Sequence, residues 1–316
     1  MPAINVSGSR MDAPMLTMFK TSAALAPRRR QGAVAPRLEV ISKRPSSPAH
    51  APPILFVHGA WHGAWCWDEF FLDHFAAHGF EAHALSLRAH GASEGGAALH
   101  RCRIRHYVDD VAAVAAALPM SPILVGHSMG GFIVQKFLET HSSPAAFLLA
   151  SIPPSGARSM YARLVRNRPL DVLKANATFS LWPIVSDPDK ARRLLFSGAT
   201  SRDQAVRYHG LMQDESILGF LDCLALDRVA ANKVRSPIHV MGAADDAIMT
   251  ACEIEATARA YGVEPEVFGN VAHDMMLDPN WRMVADAIIR TLDRQFASAP
   301  ETAPGGERLT ADAGPV

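Results

Sequence analysis

The chain has 316 residues, enough for a sizeable core and, at roughly 150 residues per domain, for about two domains. Its 31 Lys+Arg balance 31 Asp+Glu, which argues against a nucleic-acid or polyanion binder, and 49% hydrophobic with 20% charged residues is a globular composition. No apolar run approaches the roughly 18 residues of a membrane-spanning helix. The four cysteines (Cys66, Cys102, Cys223 and Cys252) form no CxxC pair and are too sparse for a disulfide framework. They read as free thiols in a reducing compartment, so a cytoplasmic location is expected.

The charge is unevenly spread. Residues 1–50 hold eight basic side chains against Asp12 and Glu39, so this part is near +6 and the remainder near −6. Residues 1–36 lack apolar periodicity and are expected to form a disordered basic leader. Arg28-Arg29-Arg30 matches the arginine run of a twin-arginine export signal, but no continuous apolar stretch follows it; export through the leader is the alternative to the cytoplasm. Residues 297–316, rich in Ala, Pro, Gly and Glu, are expected to be a loose tail.

Between these ends, over 37–296, strands and helices alternate. Ile54-Leu55-Phe56-Val57 is a short apolar run closed by His58-Gly59, which predicts a buried strand entering a loop. A helix is predicted over 66–79, with Gly79 just past its end, and a strand over 80–85. Val108, Val111, Ala112, Ala115 and Leu118 recur at helical spacing, predicting a helix over 107–118. Residues 122–125 read as a strand, 132–140 as a helix, 146–150 as a strand, 237–241 and 265–268 as strands, and 281–294 as the last helix. Such alternation predicts an α/β fold with a doubly wound, mostly parallel sheet. From about 153 to 235 no apolar strand is evident, and a structureless loop of about 80 residues is improbable on general grounds, so a helical insertion is expected there.

Gly126-His127-Ser128-Met129-Gly130 fits G-x-S-x-G, with a predicted buried strand before it and a helix after it. In that setting the glycines let strand and helix approach, and Ser128 sits on a sharp turn with its hydroxyl projecting, as a nucleophile. A serine favours an acyl-enzyme ester and needs a base. His273 lies in the loop between the last predicted strand and the last helix, at the carboxyl edge of the sheet where ligands bind. His74, His78, His141 and His209 fall on presumed helices with no motif. An orienting carboxylate is expected after the strand over 237–241, where Asp245 and Asp246 are adjacent and spacing gives no choice between them. Acyl transfer also needs two N–H donors for the developing oxyanion: Met129, which follows the nucleophile, and Ala60 in the loop after Val57. His58 and His62 have i,i+4 spacing, but no third ligand is evident in a turn, so no metal is expected.

These residues resemble the α/β-hydrolase superfamily over about 38–295: His58-Gly59, Gly126-His127-Ser128-Met129-Gly130-Gly131, Gly242-x-x-Asp245 and His273. The segment His58–Trp67 is similar to the esterase and hydroxynitrile-lyase group, and Ser128-Met129-Gly130-Gly131 to bacterial esterases and lysophospholipase-like hydrolases. In the superfamily pattern the acid stands three residues after the glycine, which selects Asp245, and the insertion is a helical cap over the substrate. The pattern Asp-x-Arg-Gly-His-Gly-x-Ser of many relatives is replaced here by Ser86-Leu87-Arg88-Ala89-His90-Gly91-Ala92-Ser93.

The resemblance implies a cofactor-free serine esterase acting on a small-molecule ester of short to medium acyl length. Alternatives on the same triad are a cofactor-free haloperoxidase, a carbon–carbon-bond hydrolase, a lipase or a lactonase; a catalytically dead binding fold is a further class. Hydroxynitrile lyases carry Thr where Gly59 stands and Lys where Asp274 stands, so that activity is not expected. Trp61 and His127 are candidates for substrate contact. Trp65 and Trp67 read equally as an apolar mouth or as packing under the loop. Trp182, Leu194, Leu195, Phe196 and Phe220 read as the insertion's own core. The oligomeric state is not legible.

Overall fold

The computed structural model describes residues 36–47, 49 and 51–296. The tail expected over 297–316, and the leader apart from residue 36, lie outside the described residues. In chain order the elements are β1 (Val40–Lys43), β2 (Ile54–Val57), α1 (Trp65–Asp68), α2 (Phe71–Ala77), β3 (Ala82–Leu85), a 3-10 turn (Gly96–Arg101), α3 (Ile104–Ala117), β4 (Ile123–His127), α4 (Met129–Phe137) and β5 (Ala146–Leu149). After a long helical stretch come β6 (Ile238–Ala243), α10 (Ala251–Tyr261), β7 (Glu266–Phe268) and α11 (Trp281–Phe296). The seven strands form one sheet in the order β1-β3-β2-β4-β5-β6-β7. Every neighbouring pair is parallel except β1 with β3.

The apolar runs account for this sheet. Every residue of β2, β3, β4 and β5 is buried, as expected of strands covered by helices on both faces. Phe56 of β2 packs on Trp67, ring centroids 5.0 Å apart, and on Phe75 at 5.2 Å. β1 is absent from the strand–helix alternation read above: it is a short, half-exposed edge strand with no long apolar run to mark it. The helix predicted over 66–79 is two, because Phe70 leaves the helical region at φ −144°, and Gly79 closes the second at φ 86°. α10 also goes beyond the alternation; a capping box of Thr250 and Glu253 opens it and Gly262, at φ 66°, ends it.

Between β5 and β6 lie α5 (Arg158–Asn167), α6 (Pro169–Thr178), a turn (Trp182–Ile184), α7 (Pro188–Leu195), α8 (Arg202–His209) and α9 (Ile217–Leu221). No strand occurs in this stretch. Asp187, Ser201 and Ser216 cap α7, α8 and α9 with side-chain acceptors, which sets where each helix begins. Polar pairs tie the insert to the sheet domain. His90 Nε2 lies 3.1 Å from Glu215, the Tyr107 hydroxyl donates to the same carboxylate at 2.9 Å, Arg103 pairs with Asp222, and Arg163 with Glu253.

Candidate active site

β4 ends at His127, α4 begins at Met129, and Ser128 between them adopts φ 51°, ψ −117°. A side chain with φ in that range is strained and persists only where surroundings over-determine it. Two glycines supply that constraint. A Cβ on Gly126 would meet Gly130 O at 2.7 Å, and one on Gly130 would meet Val57 O at 2.3 Å and His58 O at 2.4 Å. The Ser128 N–H donates to Leu149 O at 2.9 Å, pinning the turn to β5.

Around this turn a chain of hydrogen bonds runs along the carboxyl edge of the sheet. The Ser128 hydroxyl donates to His273 Nε2 at 3.0 Å. His273 Nδ1–H donates at 2.8 Å to Asp246 Oδ2, and the Asp246 side chain is fully buried. Asp246 Oδ1 accepts the N–H groups of Ile248 at 2.6 Å and Met249 at 2.8 Å, so the carboxylate is oriented from both sides. Burial lowers the His273 pKa, but the Asp246 charge and hydrogen bond, with Asp274 beside it, outweigh that and hold it above the ordinary imidazole value.

The acid selected by the superfamily spacing, Asp245, is therefore corrected to Asp246. β6 continues through Ala243, two residues beyond its expected end, and Asp246 N–H returns to Ala243 O to close the turn. The turn leaves Asp245 exposed, its N–H donating to Val271 O, while the next carboxylate points inward at His273.

Ala60 and Met129 both border the space in front of Ser128. Met129 is the first residue of α4, so its N–H has no intrahelical acceptor. The loop bearing Ala60 is fixed by two histidines. His58 Nδ1–H donates to Gly59 O at 2.8 Å while its Nε2 accepts Leu87 N–H at 3.0 Å, and His62 Nδ1–H donates to Ala60 O at 2.7 Å. These bonds explain the His58/His62 spacing as loop support.

Trp61 lines the same space, at φ 66°. His127 does not, which corrects its reading as a substrate contact. It is buried behind His273, and its Nε2–H donates to His273 O at 2.9 Å. Burial and neighbouring His273 push its pKa down to about 3, so it is a neutral ring that positions the loop. Trp67 is buried against Phe56 and Phe71, and Trp65 stacks on His62 and Tyr208; both are packing residues. Asp274, next to His273, is buried with its Oδ2 3.1 Å from His62 Nε2. Burial raises its pKa, but His62 and then His127 and His273 pull it below the usual carboxylate value.

The pocket at Ser128 is apolar, about 30 Å³, and walled on the insert side by Met160, Leu164, Leu181, Ile184, Leu194 and Phe220. Leu194 and Phe220, read above as insertion core, are pocket wall. Met160 and Leu164 stand one helical turn apart on α5, a signal that points to one face but not to what it faces. Ile248 and Met249 complete the wall beside the bonds they make to Asp246.

A model of the alpha/beta hydrolase family matches residues 54–287. With the seven-stranded, mostly parallel sheet and the serine on its strand–helix turn, the chain belongs to that family. Among curated relatives, esterase PIR7B of Oryza sativa subsp. japonica is 36% identical over 115 residues, 32% of this chain and 40% of the relative. Methylesterase 3 of Arabidopsis thaliana is 30% identical over 105 residues, 32% of this chain and likewise 40% of the relative's length. An esterase from Exiguobacterium antarcticum shares the fold at TM-score 0.64 and 17% identity, covering 82% of this chain and 96% of that one. No helix among the described residues is long and apolar enough to cross a membrane.

Proposed function

We propose that the protein is a serine hydrolase that cleaves carboxylic esters through an acyl-enzyme. The observation that carries this is the continuous chain Ser128–His273–Asp246 opening onto an apolar pocket. Ser128 Oγ attacks the ester carbonyl as its proton passes to His273 Nε2. Asp246 holds Nδ1–H and stabilises the imidazolium that forms. The carbonyl oxygen takes negative charge facing the N–H groups of Ala60 and Met129. Collapse expels the alcohol, which takes the proton from His273. Water then enters, gives its proton to His273, and attacks the acyl carbon; collapse returns the proton to Ser128 and releases the acid.

The insert acts as a cap over Ser128, and its apolar wall selects the substrate. With about 30 Å³ of room beside the hydroxyl, short acyl groups fit best as the pocket stands. The esterase relatives support the reading over the stretch they match. The test is a panel of p-nitrophenyl esters of graded chain length, with product identification, on the wild type and Ser128→Ala. Turnover that Ser128→Ala abolishes is expected. Absence of turnover for every ester, lactone and thioester would overturn the proposal. Halogenation or carbon–carbon cleavage by the same Ser128-dependent protein would replace it with one of the cofactor-free alternatives.

A further inference from the structure

A second cavity, of about 310 Å³, adjoins the pocket at Ser128. Met160, Leu164, Leu194 and Ile248 line both spaces, so the two adjoin at these four apolar side chains. The outer cavity is also lined by Arg163, Arg168 and Arg193, and no acidic side chain lines it. Arg163 is already committed to Glu253 and to Ile248 O. Arg168 and Arg193 are not: among the described residues neither has an ion-pair partner, and Arg168 makes one long hydrogen bond, to Ile184 O at 3.5 Å. On the insert's surface Arg202 pairs with Asp189 and Arg207 with Glu69, so neither of these is open to an incoming anion as Arg168 and Arg193 are. Asp171, whose charge acts on Arg168, is held by Lys190 at 2.6 Å.

Resting on the esterase reading above, we infer that the preferred substrates are esters in which an apolar spacer leads from the scissile bond to a free carboxylate, received by Arg168 and Arg193. Planar guanidinium groups match a carboxylate with paired donors, and these two line the outer cavity with no carboxylate bonded to either. Burial lowers the half-buried Arg168 guanidinium; Asp171 opposes this, and the like charge of Arg193 lowers it further, a repulsion that a bound carboxylate would relieve. The wider field agrees. Residues 153–235 carry 13 basic against 8 acidic side chains, while 51–152 and 236–296 together carry 9 against 18. An anion approaching the molecule is thus drawn to the insert and away from the rest of the sheet domain.

The test compares two series with matched neutral esters of equal length. One is p-nitrophenyl monoesters of dicarboxylic acids, with the charge on the acyl side; the other is butyrate esters of hydroxycarboxylic acids, with the charge on the alcohol side. In one series, at its best chain length, kcat/KM of the charged ester should exceed that of its neutral counterpart by about tenfold or more, chiefly through KM. The advantage should shrink with added salt and fall toward parity in Arg168→Gln/Arg193→Gln, while Arg202→Gln keeps it. Neutral esters turned over equally well or better in both series at every length, or an advantage that survives the double substitution, would overturn this inference and leave the esterase reading standing. No turnover of any ester, charged or neutral, would overturn both.

Discussion

The carboxyl edge of the sheet and the helical insert are built to different standards. At the edge the functional side chains are held from several directions. Ser128 sits between glycines that admit no Cβ, Asp246 accepts two backbone N–H groups and an imidazole, and His273 is held through its carbonyl by buried His127. The insert exposes more apolar surface. Val165, Leu170, Leu173, Phe179, Val206, Leu211 and Leu226 are all exposed large apolar residues, and they outnumber those of the rest of the described chain. Its buried apolar side chains join the core of the sheet domain, and polar pairs such as Glu215 with His90 and Tyr107 add to that attachment. Rigidity is concentrated where sub-ångström placement governs bond making. On the proposed reading, the wall that would select the ester is carried largely by the insert, where substitutions would retune a pocket without moving the reacting groups.

The sharpest break of this comparison is Ser128→Ala. It should lower kcat by about 10⁴–10⁶-fold, as in other serine triads, with an unchanged melting temperature; a rate near wild type would place the nucleophile elsewhere. Asp246→Asn should cost about 10⁴-fold, since the imidazole loses its anionic partner, whereas the exposed neighbour in Asp245→Asn should stay within about twofold. The reverse ranking in steady-state assays would restore the spacing-based choice.

On the insert side, Phe220→Ala enlarges the pocket. It should shift the preferred acyl length upward, changing selectivity by about tenfold with little loss on the best ester, because a pocket wall is worth only a few methylenes of discrimination.

The smallest effect is a displaced pH limb. His273 must be neutral to accept the serine proton, so kcat/KM should rise with pH as it deprotonates. Because Asp246 raises its pKa, that limb lies above the ordinary histidine value. In Asp246→Asn the residual activity should show the limb moved to lower pH, as burial then acts with less opposition; a limb that stays put would assign it to another group.

Much of this molecule was legible before folding. The apolar runs at 54–57, 123–125 and 146–149, three or four residues long with no polar alternation and alternating with helices, are the mark of strands buried in a covered parallel sheet. G-x-S-x-G between a strand and a helix specifies the Ser128 turn, because a close strand–helix approach excludes Cβ atoms at Gly126 and Gly130. His273 follows from its loop at the carboxyl edge. These signals are local, and the backbone alone carries them.

Three features required the tertiary structure. The choice between Asp246 and Asp245 turns on how far β6 runs before its turn, and one residue of strand reverses which side chain faces inward. The fate of His127 depends on what lies behind it, a histidine carbonyl 146 residues away in sequence. The unpaired state of Arg168 and Arg193 is likewise invisible in composition, since a count of charges does not say which carboxylates are already taken. Local sequence determined which elements form and where a nucleophile can stand; long-range packing decided which of two neighbouring carboxylates reaches His273 and which of many arginines line the outer cavity.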